Sequence, residues 1–159
     1  MAEPKNNRGN SKQDYQTPTN FMGAVVERFG EMQFDLAATK ENAKALNYYT
    51  EEDDALIQDW TQLKGNLWLN PPFAKIAPWA KKCKNSLGGG RTIFLLTPAA
   101  VGSNWYLENI HYKQNVCVLA LNPRLSFDGK NPFPKDCMLS IFSNTAYIFD
   151  FIFDVWKWV

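Results

Sequence analysis

Seven residues, TIFLLTP from Thr92 to Pro98, leave this chain few ways to fold. The run is β-branched at its start and continuously apolar, the pattern of a strand covered on both faces rather than one. Such a strand needs a layer above it and a layer below, and the flanking segments offer both. "TPTNFMGAVVERFG" sets Phe21, Val25, Val26 and Phe29 at helical spacing behind Thr17 and Pro18 and closes on Gly30, which predicts a capped amphipathic helix. "APWAKKCKNSL" resumes helical spacing and stops at Gly88, Gly89 and Gly90, and "SNWYLENIHYK" reads as a further helix. Short apolar runs between them, "MQFDLAAT", "NLWLN", "VCVLAL" and "MLSIFS", read as strands, with Asp35 near the end of the first. The polar stretch from Lys40 to Trp60 mixes loop with short helix. This alternation predicts an α/β sandwich around a mostly parallel sheet. Two periods compete at the C-terminus: Asp150, Asp154 and Lys157 share a helical face, whereas Phe149, Phe151, Phe153 and Val155 alternate as in a strand. So many aromatics need burial, against this domain or against a second subunit, so a homodimer is one expectation.

A chain of 159 residues, 45% of them hydrophobic, suits one domain with a real core. Residues 1–13, rich in Asn, Gly, Lys and Pro, are expected to form a disordered tail, leaving a single domain over residues 14–159. No window approaches the roughly 18 uninterrupted apolar residues of a membrane span, and the N-terminus has no signal-peptide core, so a cytoplasmic protein with no membrane partner is expected. The three cysteines, Cys83, Cys117 and Cys137, are widely spaced and His111 is the sole histidine, which argues against a metal site or a disulfide framework. With 17 basic and 16 acidic side chains, the net charge is +1, and any nucleic-acid partner must be met by a local patch.

In α/β sheets of this kind, ligands sit beyond the carboxyl ends of the strands. Three unusual segments fall there: "DLAAT" after the first strand, "NPPF" after the second and "TPAAVGSNW" after the third. The consecutive prolines, Pro71 and Pro72, forbid a helix behind Asn70 and fix the direction of the Asn70 amide and the Pro71 carbonyl. A side-chain acceptor, a backbone acceptor and a flat ring, Phe73, within four residues can grip a planar amine. Two hydrogen bonds accepted from an exocyclic NH2 would draw its lone pair out of conjugation while Phe73 holds the ring by stacking.

"YQTP", "FDLAAT", "NYYTEEDDALIQDW", "LWLNPPF", "PWAKK", "FLLTPA", "RLSF" and "NPFP" occur in an order that resembles the small phage-type DNA N6-adenine methyltransferases, over about Tyr15 to Ser143. The resemblance implies a Rossmann-like methyltransferase sandwich that uses S-adenosylmethionine and acts on DNA, with a flipped adenine as the methyl acceptor, in a bacterial cell and encoded by a phage or prophage. It implies that Asp35 meets the methionine end of the cofactor, with Ala37 allowing close backbone approach. Tyr15, Thr17 and Pro18 would close the cofactor pocket, and either Asp53 or Asp54 would face the ribose or adenine. Asn70, Pro71, Pro72 and Phe73 would form the catalytic segment, with Arg124 and Phe127 beside the substrate channel. The glycine-rich turn that the broader class often has after the first strand is absent here.

Plainer readings stand beside these. An acid after a strand is also a turn former, as Asp35 could be. The acidic run Glu51 to Asp54 also suits a solvated loop, and Lys75, Lys81, Lys82 and Lys84 suit a soluble helix face as well as phosphate contacts. The same chemistry could serve RNA, a cytosine N4 amine or a protein glutamine, and a non-catalytic DNA-binding module remains a further alternative.

Overall fold

The expectation of a strand covered on both faces is met by β4 (Arg91–Pro98), which lies inside a seven-stranded sheet and is buried along most of its length. The computed structural model describes residues 15–144 and 151–159; the tail expected over residues 1–13 lies outside them, as do Phe149 and Asp150. The other strands are β1 (Phe34–Asp35), β2 (Asn47–Tyr48), β3 (Gly65–Leu69), β5 (Val116–Asn122), β6 (Cys137–Ser143) and β7 (Phe153–Lys157). They lie side by side as β2-β1-β3-β4-β6-β5-β7. Every pairing is parallel except the two made by β6, which runs against both β4 and β5. The fold is therefore mixed α/β with one mostly parallel sheet.

The side-chain alternation of the strands sorts the core into two layers. Leu67, Leu69, Ile93 and Leu95 face α2 (Ala77–Asn85) and α3 (Asn104–Asn109), where they meet Ala80, Cys83, Tyr106 and Ile110. Trp68, Phe94 and Leu96 face the other way, onto Phe21, Met22 and Val25 of α1 (Thr19–Phe29). Three consecutive glycines in the left-handed region, Gly88, Gly89 and Gly90, turn the chain from α2 into β4. Burial pushes the thiols of Cys117 and Cys137 up to about 12 and raises that of Cys83 as well, so none is poised as a nucleophile. Among the described residues, no helix is long and apolar enough to cross a membrane, and no cluster of His, Cys, Asp or Glu could hold a metal ion.

Three local expectations are resolved or corrected. The stretch from Lys40 to Trp60 contains no α-helix; it holds β2 and leads into a 3-10 turn at Trp60–Gln62. Its polar side chains bond to nearby backbone instead: Asp53 accepts from the Thr50 amide at 2.8 Å, Asp54 from Leu56 at 3.2 Å and Asp59 from Thr61 at 2.9 Å. Thr17 does not cap α1; the helix starts behind Pro18 with no side-chain cap. At the C-terminus the strand period wins. Trp156 and Trp158 turn onto α1, with ring centroids 5.9 and 5.3 Å from Phe21, whereas Phe153 and Val155 on the opposite face are 51% and 57% exposed.

The entry to β4 is held by a buried cation. Arg91, 4% exposed, donates to the carbonyls of Leu63, Ser86 and Thr61 at 3.1, 2.8 and 2.8 Å, joining the chain before β3 to the end of α2. Arg91→Met would leave three inward carbonyls without their donor. Urea denaturation should show a loss of about 2–4 kcal/mol, the range for buried charge-assisted bonds broken on one side. A loss below about 0.5 kcal/mol would mean that those carbonyls are satisfied without Arg91.

Candidate functional site

Because β1, β3 and β4 are parallel, their carboxyl ends share one rim. Asp35 closes β1 and Asn70 follows β3 directly. Between them opens a cavity of about 780 Å3, a size suited to a small cofactor. Its walls include Asp35, Ala37, Asp54, Asn70 and Pro72, with Tyr15 and Thr17 arriving from the segment that leads into α1. Pro18, Pro71, Phe73 and Asp53 are not in this wall: Pro18 precedes α1, Pro71 is buried and Asp53 binds the Thr50 amide and hydroxyl. Of the two acids between which the sequence could not choose, Asp54 is the one that lines the cavity. The segment "TPAAVGSNW" shares the rim but contributes nothing to the wall.

Asp35 is 2% exposed, and its two oxygens accept from the backbone amides of Ala37 at 3.2 Å and Lys44 at 2.9 Å. Burial raises its pKa above the ordinary 3.8, and the amides of Lys44 and Ala37 offset this only in part. A carboxylate raised in this way stabilises the fold fully only below the ordinary value and loses that contribution as pH rises through its own. At neutral pH the ionised Asp35 therefore contributes less stability than the protonated form would.

The Asn70 side chain has the sharpest geometry. Its Nδ2 donates to the Tyr15 carbonyl at 2.5 Å and to Thr17 Oγ1 at 3.1 Å. Its Oδ1 is buried and has no hydrogen-bond partner among the described residues. Leaving such an acceptor unmet costs about 1–3 kcal/mol. Beyond Asn70, Phe73 meets Tyr15 at 5.4 Å in a stacked arrangement, and Phe127 and Phe133 each approach it to 6.0 Å. These last two come from the β5–β6 connection, which leaves the same rim because β6 runs antiparallel.

Arg124 does not reach into the cavity. It forms a 2.7 Å ion pair with Asp136 and donates to the Pro134 carbonyl at 3.3 Å, closing the base of the loop that carries Phe127. Within that loop Asp128 is held down to about 2 by the amides of Asn131 and Lys130. Of the lysines near α2, Lys82 bonds to the Leu56 and Gln58 carbonyls and Lys84 to that of Glu108, while Lys75 and Lys81 stay exposed. Sequence reasoning missed Trp68, Trp79 and Lys44 in the cavity wall. Strand alternation was the available signal for Trp68, two residues before Asn70 and therefore on the same face.

A parallel-sheet rim that carries a cofactor-sized cavity, an inward carboxylate and an unpartnered amide oxygen defines a ligand-binding α/β domain. Residues 5–157 match the DNA N-6-adenine-methyltransferase (Dam) family, and the chain belongs to it. It is 29% identical over 94 residues to the DNA N-6-adenine-methyltransferase of Escherichia phage T1, covering 59% of this chain and 39% of that protein. It is 24% identical over 131 residues to the protein of the same name from Haemophilus phage HP1, covering 80% and 73%. The putative methyltransferase YfdM of Escherichia coli K12 is 39% identical over 69 residues, which are 41% of this chain and 71% of that one.

Removing the exposed Arg124–Asp136 pair by Arg124→Ala should change global stability by less than about 1 kcal/mol. Hydrogen exchange should nevertheless quicken at the Phe133 amide, which donates to the Leu125 carbonyl at 2.6 Å inside the same loop. Unchanged exchange would mean that aromatic packing alone holds the loop.

Proposed function

We propose that this protein transfers a methyl group from S-adenosylmethionine to the N6 amine of adenine in DNA. The observation that carries the proposal is Asn70, which lines the cavity that Asp35 closes from the other side and whose Oδ1 is buried without a partner among the described residues. Helices on both faces of a mostly parallel sheet, with the cavity at its carboxyl rim, support a Rossmann-like arrangement for the domain.

The residues present fit the cofactor. Asp35 offers a carboxylate to the ammonium of its methionine end, and Ala37 leaves room beside it. The Asp54 carboxylate faces the cavity where ribose hydroxyls would need an acceptor, and Trp79 and Pro72 give apolar wall. S-adenosylmethionine, when bound, supplies an electrophilic methyl group. The protein's own work lies on the acceptor side. Asn70 Oδ1 and the Pro71 carbonyl accept the two N–H bonds of the exocyclic amine, which concentrates its lone pair on nitrogen. Phe73 stacks on the adenine and fixes its plane; the proton that the amine sheds leaves to solvent. Duplex DNA hides that amine, so the base must be flipped, at roughly a few kcal/mol. Adenine entering against Phe73 takes the place now filled by the ring of Tyr15 or of Phe127, so the segment before α1 or the β5–β6 loop shifts when DNA binds.

The reading is tested by incubating the protein with labelled S-adenosylmethionine and, separately, duplex DNA, RNA and cell protein, followed by digestion and mass spectrometry. N6-methyladenine from DNA is expected; label confined to RNA, cytosine or protein would overturn the assigned acceptor. Asp35→Ala should weaken cofactor binding by about 1.5–3 kcal/mol in calorimetry. Phe73→Ala should leave cofactor binding nearly unchanged while removing a platform worth about 1–3 kcal/mol. If Asn70→Ala and Phe73→Ala fold and retain full transfer, the NPPF segment is a structural turn.

A further inference from the structure

Thr17 stands where a threonine before proline ordinarily caps a helix, yet α1 has no side-chain cap and the Thr17 hydroxyl points inward, 5% exposed. Its Oγ1 accepts from the Trp68 indole Nε1 at 3.1 Å and from Asn70 Nδ2 at 3.1 Å. The second Nδ2 hydrogen goes to the Tyr15 carbonyl. Both amide hydrogens of Asn70 are therefore committed, and Oδ1 is the end of the amide left without a partner among the described residues.

We infer that Thr17 is a positioning residue: it holds the Asn70 amide so that oxygen, not nitrogen, is presented to the target amine. The inference rests on the methyltransferase reading, in which Oδ1 accepts from that amine. A primary amide has two ends of nearly equal shape, so packing alone does not choose between them, and the reversed amide would offer a donor where an acceptor is needed. The choice is made by polarity. The Tyr15 carbonyl can only accept, so it requires Nδ2 rather than Oδ1 beside it; the indole N–H of Trp68 can only donate, so it occupies one lone pair of Thr17 Oγ1. The remaining lone pair faces Asn70 Nδ2. With the amide reversed, Oδ1 would meet the Tyr15 carbonyl, acceptor against acceptor, and the Thr17 hydroxyl would lose the Nδ2 hydrogen it now holds. Thr17 also lines the cofactor cavity, but with both lone pairs of its hydroxyl filled it acts on the acceptor side of the reaction rather than as an acceptor for the cofactor.

Thr17→Val keeps the shape and removes the hydroxyl; Thr17→Ser keeps the hydroxyl. Single-turnover transfer to duplex DNA should fall about ten- to a hundredfold in Thr17→Val, the scale of a misoriented reacting group. Calorimetric affinity for S-adenosylmethionine should stay unchanged, and Thr17→Ser should restore most of the rate. Wild-type transfer by Thr17→Val, or loss of cofactor affinity in step with transfer, would overturn the inference. A second readout needs no turnover: the Asn70 side-chain amide protons, followed by nuclear magnetic resonance, should exchange slowly with water in the native protein and rapidly in Thr17→Val. Equal exchange in both proteins overturns the positioning role whether or not DNA is methylated. Absence of transfer by the native protein overturns only the methyltransferase reading. Should Thr17→Val fail to fold, Thr17→Ala removes the same hydroxyl with less bulk; faster Asn70 amide exchange is expected there, and unchanged exchange contradicts the proposal.

Discussion

Trp68 and Asn70 are two residues apart at the end of β3, so the pleat of the strand sends both side chains to the face that α1 covers, while Leu67 and Leu69 go to the other. The chain entering α1 passes over that face and places the Tyr15 carbonyl and the Thr17 hydroxyl against them. One consequence is structural: residues 15–17 are tied to the sheet from more than 50 positions away by hydrogen bonds that are buried or partly buried. The other, on the proposed reading, is functional, because the same bonds hold the amide of a residue that lines the cavity. In that reading Asp35 across the rim and the aromatic group around Phe73 are arranged about the Asn70 amide.

Two features of the site oppose stability. Asp35 is buried with a raised pKa, and Asn70 keeps a buried oxygen without a partner. A protein selected only to fold would have no reason to retain either. Both are explained at once if a cationic group settles beside Asp35 and an N–H donor reaches Asn70, which is the pairing that a cofactor with an ammonium group and an amine acceptor provide.

Much of the architecture was legible in the sequence because burial on both faces leaves its mark in TIFLLTP, and because Gly30 and the triple glycine end helices unambiguously. The cavity-side placement of Asp35 and Asn70 followed from their positions at strand ends. Roles set by polar geometry were not legible. Thr17 before Pro18 looks like a cap in one dimension, and only the arrival of Trp68 and Asn70 across 51 and 53 positions shows that its hydroxyl is engaged elsewhere. Arg124 reads as a substrate contact, and its pairing with Asp136 on the far side of the loop has no local signal in the sequence. The helix expected between Lys40 and Trp60 lost to side-chain bonds whose partners lie two or three residues away, a competition that periodicity does not register.

The central claim concerns the direction of one oxygen, and a crystal structure with a non-transferring cofactor analogue and a short adenine-containing duplex tests it most directly. The account predicts the adenine N6 amine within about 2.7–3.2 Å of both Asn70 Oδ1 and the Pro71 carbonyl, with the base plane against Phe73. An adenine bound elsewhere, or an Asn70 amide whose nitrogen rather than oxygen faces the amine, would contradict it.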